Sequence, residues 1–240
     1  TLGERVRGDT DVDSIRFCSF ADPGIAVLRA DVSPGSDAAP LVSGGGTATS
    51  GVRDSRPWCA AQGSGGSVVA AAAQVIDGSR IERVVAYDVT VGGAPSPERA
   101  CERVEDANRR GFERLLREHR RTWARRWEQA DVVVDGDDEL QLQVRVALYH
   151  LMASVGDRGE SAVGARGLTG HGYRGHVFWD ADLFVLPFLA ATDPAAARSM
   201  LEYRLRRLPV ALEAARAAGH AGARFPWESA ATGTDVTPTS

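Results

Sequence analysis

Gly167-Leu168-Thr169-Gly170-His171-Gly172-Tyr173-Arg174-Gly175-His176-Val177-Phe178-Trp179-Asp180 reads as a long loop set between two helical stretches. Before it, Asp137 and Asp138 can cap a helix whose core face is Leu140, Val144, Ala147, Leu148, Leu151 and Val155. Its other faces also carry apolar residues, Leu142, Val146 and Met152, as in a helix buried inside a barrel. After it, Asp193-Pro194 starts a helix with Ala197, Met200, Leu201, Leu205 and Leu208 inward; Pro209 restarts it and Gly219 stops it. Helix, long functional loop, helix is the local grammar of an (α/α) barrel.

The loop ends on Trp179-Asp180, and Phe225-Pro226-Trp227-Glu228-Ser229 repeats the pairing of tryptophan with an acid 48 residues later. A pyranose ring has an apolar C–H face that lies on an indole and a rim of hydroxyls that donate to carboxylates and accept from Arg or His. One isolated Trp-Glu is most often a buried ring beside a solvated charge. Two such pairs, both after loops rich in Gly and polar residues, favour a sugar site.

Outward from this core, residues 1–95 carry short β-like runs, Ile15 to Phe20, Ile25 to Val32, Val68 to Ile76 and Arg83 to Thr90. Their spacing predicts antiparallel strands of a sandwich, with the glycine-rich stretch Ser43 to Ser67 as a long loop. Ser96-Pro97 opens a helical linker over residues 96–130 with a break near Gly111. Phe112, Leu116, Trp123 and Trp127 form its packing stripe, and Arg117 to Arg126 its wet side. Asp131 to Val134 is strand-like, and residues 131–240 form the third region.

A net charge of −4 leaves no basic footprint for nucleic acid, and no apolar run approaches a membrane span. All 28 basic residues are Arg, which excludes a Walker lysine, a Schiff base or a lysine general base among them. Cys18, Cys59 and Cys101 have no metal-ligand or framework spacing, so a reducing cytoplasm is expected. A metal site built from His150, His171, His176 or His220 lacks the usual ligand spacing, and none is expected.

The run Gly167 to Asp180, followed by Leu186-Pro187-Phe188, Tyr203-Arg204, Phe225 to Ser229 and Val236-Thr237-Pro238, resembles glycoside hydrolase family 65. That family comprises phosphorylases of maltose, trehalose, kojibiose and nigerose, with hydrolase relatives. The resemblance implies an α+β multidomain fragment: the C-terminal part of a β-sandwich domain (1–95), a helical linker (96–130) and the first helices of an (α/α)6 barrel (131–240). It implies that Trp179 and Asp180 hold the glucosyl unit, Asp180 by bidentate acceptance from adjacent hydroxyls, with Tyr173, Arg174, His176, Trp227 and Glu228 in the same substrate-binding set. For His176 a hydrogen-bonded core histidine is the alternative reading.

The implied reaction is inverting phosphorolysis of an α-linked glucose disaccharide, with inorganic phosphate as co-substrate, no other cofactor and β-glucose 1-phosphate as product. The general acid is a glutamate expected downstream of Ser240, so no catalytic residue is assigned here and the fragment is expected to be inactive alone. A homodimer is the expectation for the full-length protein. Departures from the family pattern are Ala181-Asp182 where Thr-Glu follows Trp-Asp, Ala231 where a polar residue is common, and Thr234-Asp235 for a pair of acids. A hydrolase on the same scaffold, such as a trehalase or kojibiose hydrolase, and a non-catalytic sugar-binding module are the alternatives.

Overall fold

A computed structural model describes residues 2–6, 11–32, 48–63, 66–91, 93–157, 160–170 and 172–238. His171 and the ends of the glycine-rich stretch (43–47 and 64–65) lie outside the described residues. The chain divides into two compact units, Thr1–Trp123 and Ala124–Ser240. Among the described residues no helix is long and apolar enough to cross a membrane.

The first unit is a seven-stranded antiparallel sheet in the order β1-β2-β3-β7-β6-β5-β4. The strands are β1 (Leu2–Val6), β2 (Val12–Cys18), β3 (Ile25–Val32), β4 (Ala48–Arg53), β5 (Arg56–Gly63), β6 (Gly66–Asp77) and β7 (Arg80–Val91). Alternation along them sends Phe17, Ile25, Val27, Ala60, Val69, Ala71, Val84 and Ala86 to one face. Helix α1 (Pro97–Arg110) covers that face with Ala100, Cys101, Val104 and Ala107, and Phe112, Leu115 and Leu116 at the start of α2 (Phe112–Ala130) extend the core. The opposite face presents the cross-strand pair Val68 and Val89 and the ring of Tyr87 to solvent. The sandwich expected from sequence is therefore represented by one sheet with an apolar outer face, the kind of surface that sheet-on-sheet packing buries.

Ser43 to Ser67 is not a loop where it is described: β4 and β5 form a hairpin there. Gly51 sits opposite Trp58, and a Cβ on it would come within 2.8 Å of the indole. That glycine makes room for a cross-strand ring, so its absent side chain is a packing feature that reads as loop composition. In α2 the packing stripe also includes His119, whose Nδ1 accepts from the Phe20 amide at 3.2 Å, while Trp123 stacks on Phe20 at 4.9 Å.

The second unit contains α3 (Asp138–Ala153), α4 (Leu186–Thr192), α5 (Pro194–Arg206) and α6 (Leu208–Ala217). Asp137 caps α3 and Asp193 caps α5 through their side chains, and Pro194 and Pro209 stand in the first turns of α5 and α6. Val155, Val163, Val177, Ala181, Leu189, Ala196, Ala197, Met200 and Tyr203 form its core. Residues 131–134, expected to be strand-like, form no strand; the Gln141 amide meets their backbone instead, accepting from Val134 N and donating to Val132 O, both at 2.9 Å.

On α5 the inward line is Ala196, Met200, Tyr203 and Arg207, while Leu201 and Leu205 face out, because Tyr203 and Arg207 find polar partners inside that no leucine could use. On α3, Leu140, Leu142, Val146 and Ala147 are exposed, and burial runs through Leu148, Met152 and, just past the helix, Val155. Arg126 departs from the wet side assigned to its neighbours. It is buried, donating to Met152 O at 2.9 Å and pairing with Asp193 at 2.6 Å.

Candidate functional site

Strands β8 (Val177–Phe178) and β9 (Glu228–Ser229) pair antiparallel, with Phe178 opposite Glu228 and Val177 opposite Ser229. This pairing joins the two tryptophan-acid motifs, which stand 48 positions apart in the chain. On one side Gly164 bridges to Val177; a Cβ on Gly164 would lie 3.2 Å from the Gly175 backbone, so close approach needs glycine there. On the other, Val236-Thr237 returns alongside β9: Val236 N donates to Glu228 O at 3.1 Å and Glu228 N to Thr237 Oγ1 at 3.3 Å.

Phe178 is buried and props two half-exposed rings. Tyr173 meets it edge-on at 5.2 Å and 83°, Trp227 at 5.0 Å and 81°. With Val163, Gly164, Ala165, Asp180, Ala181, Phe184 and Val185 they line an open cavity of about 370 Å³, within the range of small-molecule sites. Asp180 heads a single π-helical turn (Ala181–Val185), makes no capping bond, and has no hydrogen-bond or ion-pair partner among the described residues. Tyr173 and Arg174 hold left-handed backbone (φ 60° and 50°), a conformation that costs non-glycine residues about 1–3 kcal/mol each and clusters at binding sites. Arg174 lies exposed at this turn.

Each tryptophan separates from its own acid. Trp179 and Asp180 are consecutive in a helical turn, where neighbours point about 100° apart. Trp179 accordingly lines a second cavity, about 550 Å³, with Asp182, Arg204, His220, Arg224 and Phe225. Trp227 stands at the bend just before β9 and Glu228 is the first residue of that strand. Trp227 reaches the first cavity, whereas the Glu228 side chain is buried, its Oε1 2.7 Å from His176 Nδ1. The arrangement in the first cavity therefore crosses the motifs, an indole from one beside an unengaged carboxylate from the other.

Sequence reasoning passed over the supports. Arg204 grips Asp182 through Nε and Nη2 at 3.0 and 2.7 Å, so the acid that departs from the family pattern is an ion-pair partner. Tyr203 places its hydroxyl 3.0 Å from both Ser229 Oγ and Ala230 O, tying α5 to β9. Arg207 donates to Ala231 O at 2.8 Å and pairs with Glu160 at 2.6 Å. The signal was present: Ala196, Met200, Tyr203 and Arg207 recur at the three- and four-residue spacing of one helix face. Among the described residues no group of three or more His, Cys, Asp or Glu is placed to hold a metal ion.

Residues 145–240 match the family model described as the glycosyl hydrolase family 65 central catalytic domain. The kojibiose phosphorylase of Halothermothrix orenii is 44% identical over 142 residues, which is 59% of this chain and 18% of that protein. The kojibiose hydrolase of Mucilaginibacter mallensis is 38% identical over 156 residues, 65% of this chain and 23% of that protein. The chain thus spans less than a quarter of the length of these curated relatives. A solved structure titled as a putative kojibiose phosphorylase from human microbiome superposes with a TM-score of 0.80 at 19% identity, covering 97% of this chain and 36% of that one. At that identity the likeness concerns the fold.

Proposed function

We propose that the chain, whose residues 145–240 belong to glycosyl hydrolase family 65, is the portion of an inverting α-glucoside phosphorylase that forms one wall of its glucosyl pocket. The observation that carries this reading is the meeting of Asp180 and Trp227 on one cavity. An unengaged carboxylate accepts from two adjacent hydroxyls of a pyranose, and the indole offers its face to the C–H groups of the same ring. Tyr173 bounds the cavity beside them.

In inverting phosphorolysis a carboxylic acid protonates the departing glycosidic oxygen while a phosphate oxygen attacks the anomeric carbon from the opposite face. The carbon–oxygen bond to the leaving sugar breaks and β-glucose 1-phosphate forms. Phosphate is already an anion, so no carboxylate base is needed to activate it. Residues of this chain bind and orient the glucosyl unit, and none of them is given the part of the acid. Hydrolysis on the same scaffold is the second reading, favoured by the identity to the Mucilaginibacter kojibiose hydrolase.

The test is turnover of kojibiose and trehalose by the full-length protein with and without orthophosphate. Phosphate-dependent release of glucose 1-phosphate is expected. Release of glucose alone at an unchanged rate without phosphate makes the protein a hydrolase, and sugar binding without turnover makes it a binding module.

A further inference from the structure

Resting on that pocket reading, we propose that Arg204 and Asp182 are positioning residues for Asp180. Their ion pair holds the chain around the Asp180 carboxylate and so sets its place relative to Trp227. Asp180 has no side-chain anchor of its own: it makes no capping bond and no ion pair among the described residues. It heads the π-helical turn Ala181–Val185, a rare geometry that recurs at functional sites. Ala181 and Val185 pack on the core of this unit, but apolar contacts are not directional, and Leu183 and Phe184 are 65% and 72% exposed. Asp182 is the one polar side chain of the turn.

Arg204 supplies the direction. Its side chain is 12% exposed; Nε and Nη2 donate to Asp182 Oδ2 at 3.0 and 2.7 Å, and Nη2 also donates to Phe178 O at 3.4 Å. Phe178 and Asp182 stand two residues before and two after Asp180, so one guanidinium spans the segment that carries the carboxylate. The preceding residue of α5 holds the opposite wall, because the Tyr203 hydroxyl bonds Ser229 and Ala230 just after Trp227. Consecutive residues of one helix thus set the separation of the acid and the indole that line the cavity. The planar fork of a guanidinium fixes direction as well as distance, which a lysine ammonium does not. For a carboxylate that accepts from sugar hydroxyls, a displacement of about 1 Å costs on the order of a hundredfold in rate.

Two measurements on the full-length protein test the pair. Hydrogen exchange read by mass spectrometry follows the turn itself. In Asp182→Ala the amides of residues 181–186 should exchange about tenfold faster or more, with those of β1–β7 unchanged. An unchanged rate in that segment overturns the proposal. Kinetics follow the coupling to Asp180. Asp182→Ala should lower kcat/KM for the disaccharide about ten- to a hundredfold, and Asp182→Asn, which keeps an oxygen for the guanidinium, should recover most of that. Arg204→Lys, which keeps the charge and loses the fork, should lower it about fivefold, and it replaces Asp182→Ala in both measurements if that variant does not fold. In the Asp180→Ala background Asp182→Ala or Arg204→Lys should change kcat/KM by less than about twofold. Losses that recur there in full mean that the pair acts on something other than Asp180 and sink the idea. If the wild type turns over no α-glucoside, the functional reading fails, and the exchange rates still decide whether the pair holds the turn.

Discussion

The Phe178 ring stands 5.0 Å from that of Trp227 at 81°, and the β8–β9 register that makes this contact also sets Phe178 opposite Glu228. A residue with little access to ligand thus fixes the angle of the indole that borders the cavity and, through Tyr173, of the ring beside it. Replacing it by leucine keeps an apolar filler and removes the edge-to-face geometry. Phe178→Leu should raise KM about three- to tenfold, the worth of one such aromatic pair, with kcat less affected. Steady-state kinetics of the full-length enzyme read this; an unchanged KM would mean that the ring angles do not matter.

If Asp180 binds the glucosyl unit as proposed, Asp180→Ala should reduce turnover efficiency about thirtyfold to a thousandfold, on the order of 2 to 4 kcal/mol, through the loss of those hydrogen bonds. Arg125→Ala, at an exposed position of α2, should leave activity near wild type. Equal activities of the two variants would refute the role given to Asp180.

Two ion pairs of equal length should differ sharply in worth. Arg126–Asp193 and Arg145–Asp131 are both 2.6 Å, but the Arg126 side chain is 6% exposed and the Arg145 side chain 47%. Arg126→Ala leaves an acid largely out of water without its partner and Met152 O without its donor, and should cost about 3–5 kcal/mol. Arg145→Ala should cost under about 1 kcal/mol. Denaturant midpoints of both variants compare them, and similar losses would contradict the burial argument.

His119 makes the first unit acid-sensitive. Burial lowers its pKa from 6.5 to about 4, and its Nδ1 lone pair is engaged by the Phe20 amide. Because the folded value lies below the unfolded one, the unfolded chain binds the proton first. The stabilisation is complete above pH 6.5 and disappears as pH falls toward 4, amounting to about 3 kcal/mol. His119→Gln does not titrate, so its stability curve should lack that slope; parallel curves between pH 6.5 and 4 would exclude His119 as the cause.

Leu142, Leu183, Phe184 and Leu205 are each at least 60% exposed in the second unit. Apolar surface of this extent promotes association, so the isolated 240-residue chain should bind a hydrophobic dye such as anilinonaphthalene sulfonate and self-associate. It should also release no glucose 1-phosphate from kojibiose or trehalose. Product formation by the pure chain would move the catalytic acid into these residues.

Helix ends were legible from sequence alone, because caps act within one turn. Ser96-Pro97, Gly111, Asp137, Asp193-Pro194 and Gly219 each mark a boundary where the structure has one. The order of the motifs from Gly167 to Pro238 was likewise enough to indicate the family that the comparisons support. The hairpin β4–β5 escaped notice because Gly51 is explained only by Trp58 across the strand. The inward places of Tyr203, Arg207 and Arg126 escaped for the same reason, since polar side chains go inside where distant backbone or charge meets them.

At the cavity, sequence supplied two tryptophans and two acids, and proximity along the chain paired each ring with its own neighbour. Tertiary structure re-paired them. Adjacent side chains diverge in a helical turn and at the bend that leads into β9, so Trp179 and Glu228 stay out of the first cavity, while Asp180 and Trp227 meet there beside the pairing of β8 with β9. Local chemistry is written in neighbouring residues, but which of them share a cavity depends on backbone direction and strand register, and the register of β8 on β9 is fixed only when the chain between them has folded.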